Sequence, residues 1–175
     1  MTDIALAPDG SPAGSSQQYL RFSLGRDPHA LRIEAVREIL EVGHMTPLPL
    51  MPDFVRGVMN LRGAVVPVID LGARIGLGAT TLATRTCIVV VDAPARDDHS
   101  ARQPMGVLVD AVHEVFDDAG RDAEAVPRLG TRVPPEFIRG MVRIRDRATP
   151  ELDLEAILEH QALADLIARH TARSH

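Results

Sequence analysis

The chain is 175 residues long and 45% hydrophobic, with mean hydropathy near zero, which suits one ordinary domain or two small ones and excludes disorder throughout. A formal charge of -5, from 24 acidic against 19 basic residues, and 3% aromatics without Trp disfavour wholesale binding to phosphate backbones, anionic membranes or single-stranded nucleic acid. All 19 basic residues are arginine, so there is no Walker A, Schiff-base or kinase ATP-binding lysine.

Residues 1 to 18 mix Ala, Pro, Gly, Ser and Gln without periodicity and read as a disordered tail. From Tyr19 the pattern alternates, with Leu20, Phe22 and Leu24 on one face and Arg21 and Ser23 on the other, the mark of a half-buried strand. Gly25 to Pro28 supplies a turn, and the alternation of Leu31 and Ile33 with Arg32 and Glu34 predicts a strand pairing back. Ala35 to Val42 fits both a strand face and a helical turn, and a short turn leading into strand is favoured. Thr46 to Pro52, TPLPLMP, is extended and irregular, because each proline fixes φ and removes a donor.

Gly57 to Leu71, GVMNLRGAVVPVIDL, reads as a β-hairpin: apolar, β-branched runs flank Arg62-Gly63. Gly57 and Gly63 can take positive φ, and Pro67 predicts an edge or bulged second strand. Asn60 and Arg62, at i and i+2 in extended chain, share a face that is either a recognition surface or the polar outside of an ordinary hairpin. One helical turn follows Leu71, and Arg85 to Asp92 reads as a fully buried strand containing the only cysteine, Cys87. A polar loop spans Pro94 to Pro104, Met105 to Phe116 reads as one long strand, and residues 117 to 134 are charged and turn-rich. Leu152 to Ala168 has the apolar spacing of an amphipathic helix.

Pro52 to Leu71 aligns without gaps on Pro135 to Leu154, PEFIRGMVRIRDRATPELDL, at a constant offset of 83. Pro52, Phe54, Arg56, Gly57, Arg62, Pro67, Asp70 and Leu71 each meet an identical residue there. A Val-x-Glu-apolar segment stands upstream of each copy, at Val36 to Ile39 and Val112 to Val115, offset by 76. Two related β units follow, and strands at short spacing with one closing helix imply two small barrels packed together. The expected division is a first barrel over about 19–80 and a second over about 81–165.

With the Val-x-Glu-Ile segment, TPLPLMPDFVRG, GVMNLRGAVVPVIDL, MGVLVDAVHEV and LDLEAIL in this order, the sequence resembles the CheW-like family of chemotaxis coupling proteins from Tyr19 to about His160. The resemblance implies a mainly β fold of two SH3-like five-stranded barrels with a C-terminal helix, and no catalytic activity, cofactor or metal. It implies an adaptor in the cytoplasm, recruited to receptor arrays at the inner membrane, that couples the cytoplasmic tip of a chemoreceptor to the regulatory domain of a CheA-type histidine kinase. It places a receptor-binding groove at Val36, Glu38, Gly57, Asn60, Leu61, Arg62 and Gly63, with Glu38 close to Arg62, Val36 offering an apolar contact on the same strand face, and Gly57 keeping the groove wall low. The second unit departs from the family pattern at Arg147 to Leu152, RATPEL, where Pro and Glu weaken the expected strand.

Two other classes compete. An enzyme would need a nucleophile with a base, a metal cluster or a cofactor loop, and none has a recognisable motif; the seven histidines lack zinc-ligand spacing. A small nucleic-acid-binding barrel finds support in six arginines between Arg128 and Arg147, but Glu136 and Asp146 interrupt them. No stretch approaches the ~18 to 20 apolar residues that span a bilayer, so no direct membrane insertion is expected.

Overall fold

Among the described residues ten strands form, most of them where the sequence alternates or runs apolar. The computed structural model describes residues 17–93, 103–118 and 132–158. Its elements are β1 (Gln17–Leu24), β2 (Asp27–Arg32), β3 (Val36–Glu41), β4 (Val55–Leu61), β5 (Ala64–Asp70), α1 (Leu71–Arg74), β6 (Cys87–Ala93), β7 (Gln103–Val109), β8 (Ala111–Asp118), β9 (Ile138–Ile144), β10 (Arg147–Leu152) and α2 (Leu154–Leu158). A single 3₁₀ turn at Ile33–Ala35 leads into β3, as the ambiguous segment suggested. Gln17 and Gln18, expected in the tail, belong to β1. The remainder of the expected tail, residues 94–102 of the expected loop, residues 119–131 and the part of the expected helix beyond 158 lie outside the described residues.

The strands make two five-stranded sheets: a central one in the order β3-β6-β7-β5-β4 and an outer one in the order β8-β1-β2-β10-β9. Adding five to each strand number turns the first order into the second, with β1 and β2 taking the places of β11 and β12. Each half of the chain has therefore given its leading hairpin, β1-β2 or β6-β7, to the other half's sheet. The expected division at residue 80 matches the sequence repeat but not the sheets, because backbone hydrogen bonds join each leading hairpin to the opposite unit. The long strand expected over Met105 to Phe116 is likewise corrected. It breaks at Asp110, whose N–H donates to Ser23 O at 3.0 Å and whose carboxylate accepts from Gly25 N at 2.7 Å, so β7 ends in the central sheet and β8 starts in the outer one.

The two repeated hairpins coincide in detail. Each carries a bulge at the same place, between Val55 and Gly57 opposite Ile69 and Val68, and at Ile138 and Gly140 opposite Leu152 and Glu151. Asp70 N donates to Phe54 O at 2.6 Å and Asp153 N to Phe137 O at 2.8 Å, and the two aspartates accept from Ala73 N and Ala156 N to start α1 and α2. RATPEL forms β10 despite its Pro and Glu: Glu151 is buried but takes Arg32 at 2.8 Å, which removes the cost of an isolated buried charge. Pro67 is not on an edge, since β5 lies between β4 and β7; it sits just before the three-residue parallel ladder that starts at Val68. The bulge expected in this strand lies in β4 instead.

Between the sheets lies the shared core, with Leu20, Phe22, Leu24 and Leu31 from the outer sheet meeting Ile69, Val89, Val91, Val107 and Val109 from the central one. Burying each such side chain stabilises by ~1.5–3 kcal/mol. Arg74 of α1 is placed between the units, its guanidinium 5.5 Å from the Phe54 ring and 5.0 Å from the ring of the equivalent Phe137, a double cation–π contact.

His29 is buried in β2 against Phe22, and its Nδ1 pairs with Asp27 O at 3.0 Å, which assigns the proton of the neutral ring to that nitrogen. Burial pushes its pKa below the ordinary 6.5. The unfolded chain therefore binds the extra proton first, and this contribution to stability is complete above pH 6.5 and declines as pH falls from there toward the folded value. We expect Tm to drop between pH 7 and pH 5, and His29→Phe to flatten part of that drop in thermal melts; an unchanged slope would remove His29 as its source.

Candidate functional site

A tight turn aims Arg62 at Glu38. Arg62 and Gly63, between β4 and β5, take φ of +53° and +86°, the left-handed pair of a two-residue hairpin turn, and Asn60 Oδ1 accepts from Gly63 N at 3.0 Å. The Arg62 fork then donates to both carboxylate oxygens of Glu38 on β3, Nη1 to Oε2 at 2.6 Å and Nη2 to Oε1 at 2.9 Å. Glu38 raises the already high pKa of Arg62 through this hydrogen bond and its charge. The Arg62 side chain is 74% exposed and that of Glu38 is 20% exposed, so the pair stands at the rim of the central sheet with guanidinium edge to spare.

An apolar cluster lies beside the pair. On the sheet face away from the shared core, Val68, Ile88, Val90 and Leu108 are buried, while Leu40, Val42, Met45, Met59 and Leu61 are only partly covered. Val65, opposite Asn60, is 46% exposed on the other face of the hairpin. The arrangement offers a charged, geometrically fixed rim against a soft apolar surface that includes two methionines, which suits an amphipathic helix.

Of the predicted residues, the structure brings Glu38, Asn60, Leu61, Arg62 and Gly63 together. Arg62 does not share an extended face with Asn60, because its positive φ turns it out of the strand, and Asn60 closes the turn rather than presenting a free amide. Val36 departs from its expected place. A bulge at Arg37 sets Val36 opposite Val91 and Glu38 opposite Val90, so the two side chains point to opposite faces, and Val36 packs on the shared core. Gly57 does not line an open groove. It is buried, its φ is +147°, and a Cβ there would lie 2.4 Å from Thr46 O; the proline-rich segment crosses directly above it through the Thr46–Val58 bridge. Met59 was missed, although its i, i+2 spacing with Leu61 along β4 was available.

Other chemistry is sparse around these elements. Ser23 Oγ lies 2.6 Å from His113 Nε2, but Arg85 Nη2 donates toward His113 Nδ1 at 3.5 Å. The ring proton is thereby assigned to Nε2, and the imidazole faces Ser23 as a donor, the reverse of a general base. Among the described residues no three His, Cys, Asp or Glu side chains gather as metal ligands, and no helix is long and apolar enough to cross a membrane.

The family model of the CheW-like domain matches residues 18–162. The chain belongs to the CheW-like family. It is 33% identical over 141 residues to the chemotaxis protein CheW of Rhizobium meliloti, covering 81% of this chain and 86% of that one. It is 28% identical over 155 residues to CheW of Klebsiella aerogenes, covering 87% and 89%. The crystal structure of the scaffolding protein TtCheW from Thermoanaerobacter tengcongensis superposes with a TM-score of 0.72 at 29% identity, covering 83% of this chain and 90% of that one. The two five-stranded sheets are thus a CheW-like fold, and the chain is a CheW-like scaffold of chemotaxis signalling.

Proposed function

We propose that this CheW-like chain is a non-enzymatic cytoplasmic adaptor that couples the cytoplasmic tip of a chemoreceptor to a CheA-type histidine kinase at receptor arrays. The observation that carries the receptor site is the exposed, bidentate Arg62–Glu38 pair beside a partly open apolar cluster. A receptor helix would lay its apolar stripe on Met59 and Leu61, which share one face of β4, and a polar group of that helix would meet the free edge of the Arg62 fork. Arginine suits this role because its planar fork holds one carboxylate and still presents donors. Asn60 and Gly63 fix the turn. Gly57 and Val36 act from beneath, Gly57 by letting the Thr46 segment close over β4 and Val36 by anchoring β3 to the core.

Arg62→Ala and Glu38→Ala should leave Tm within a few degrees, since an exposed ion pair adds little to stability. Receptor affinity should fall tenfold or more, read by co-sedimentation with receptor-containing membranes and active kinase. Parent-like binding by both variants would move the receptor site elsewhere, and failure of the parent to co-sediment with either partner would sink the adaptor reading.

A further inference from the structure

The repeat puts a second arginine–glutamate pair in the outer sheet. Arg145 stands 83 residues after Arg62 and Glu114 stands 76 after Glu38, and Arg145 Nη2 donates to Glu114 Oε2 at 2.8 Å. Arg145 and Asp146 turn the β9-β10 hairpin with φ of +49° and +65°, the same left-handed pair as in the first unit. The surroundings differ. In the central sheet one fork satisfies one carboxylate, whereas here Glu114 is shared, with Arg21 Nη1 of β1 at 3.5 Å from its other oxygen. Arg21, Arg145 and Arg147 line one hollow of about 240 Å³ with Pro28, Ile144 and Thr149.

Two guanidiniums therefore share one carboxylate, and a third lines the same hollow, on a chain of formal charge -5. Arg147 makes no ion pair with a described residue. Partial burial first, then the charges of Arg21 and Arg85, hold the pKa of neighbouring His113 on β8 below the ordinary value. We propose that this hollow is a second docking site, which takes the carboxylates of an Asp/Glu-rich segment of a protein partner. Planar forks from β1, the hairpin turn and β10 can each grip a carboxylate. Pro28 and Ile144 give an apolar lining for the methylene stem of a glutamate, a contact that a bare phosphate ion leaves unused. The 73% exposure of Arg145 lets it reach a neighbouring residue of the same segment.

The test is fluorescence anisotropy of a labelled oligoglutamate peptide with the full chain at low ionic strength, an oligolysine peptide being the control. The parent should bind oligoglutamate and not oligolysine. The double variant Arg145→Gln/Arg147→Gln should weaken binding tenfold or more, while Arg62→Ala binds like the parent. Since Arg145 and Arg147 are exposed, the double variant should keep its melting curve; if it does not, Arg147→Glu, which leaves the Glu114 pair intact, carries the same expectation. No oligoglutamate binding by the parent, undiminished binding by the variants, or an equal loss in Arg62→Ala would overturn the proposal. Full displacement of the peptide by millimolar inorganic phosphate would overturn it in favour of a small-anion site.

Discussion

Asp70→Ala should cost about 3–5 kcal/mol, the scale for removing one partner from a buried charged network, and should lower Tm by about 10 °C or more for a domain of this size. The carboxylate is fully buried at the junction of β5 and α1. It accepts from Thr80 N at 2.8 Å, Thr80 Oγ1 at 2.9 Å, Arg56 Nη1 at 3.1 Å and Ala73 N at 3.2 Å. Its removal leaves Arg56 with only the carbonyl of Thr80 at 3.0 Å and unties the segment after α1 from the central hairpin. The equivalent Asp153 gives the comparison, because among the described residues its side chain accepts only from Ala156 N, at 3.1 Å, and Asp153→Ala should cost about 1 kcal/mol, as for loss of a helix cap. Urea titrations of the two variants would check the contrast; similar losses would show that the Arg56–Thr80 network contributes little beyond the cap.

Gly57→Ala should be nearly as damaging, at about 2–4 kcal/mol, and should also weaken receptor binding. The new Cβ would lie 2.4 Å from Thr46 O and 2.9 Å from Thr46 C. These are backbone atoms held by mutual hydrogen bonds between Thr46 and Val58 at 2.8 and 2.9 Å, so relief requires the proline-rich segment to lift off β4. Overpacking of this kind costs ~1–3 kcal/mol, and φ of +147° adds strain of ~1–3 kcal/mol for a residue with a side chain. Lifting Thr46 also disturbs Met45, which covers the apolar cluster beside Arg62. Gly63→Ala gives the comparison: φ is +86° but nothing lies within 4 Å of the added Cβ, and the expected loss is about 1 kcal/mol. Thermal melts of the two variants would separate close approach from conformational freedom. Equal losses would mean that Thr46 moves aside freely.

These contrasts show where reading the residues in order succeeds. Alternation along Leu20, Phe22 and Leu24 gives the inward face of β1 because side chains on a strand repeat every two residues, and the buried run Ile88 to Val91 gives a strand covered on both faces. Arg62-Gly63 gives the hairpin turn, because few residue pairs adopt two successive left-handed conformations. Asp70 and Asp153 were visible as identical members of the repeat, but the difference in what each carboxylate holds was not, since Thr80 reaches Asp70 only after the loop beyond α1 folds back.

By itself the sequence determined most of the strands, the hairpin turn and the duplication, with a Val-x-Glu segment and a turn arginine recurring in each unit, because all of these are written in local periodicity and residue type. The tertiary structure decided the rest. Which sheet receives β1-β2 and which receives β6-β7 depends on backbone hydrogen bonds, and these are blind to side-chain identity. The bulge at Arg37 sends Val36 to the core and Glu38 to the rim, because one extra residue in a strand reverses every side chain before it relative to those after it. Gly57 is required by the Thr46 carbonyl lying across it, a contact between residues eleven apart that no spacing along the chain announces.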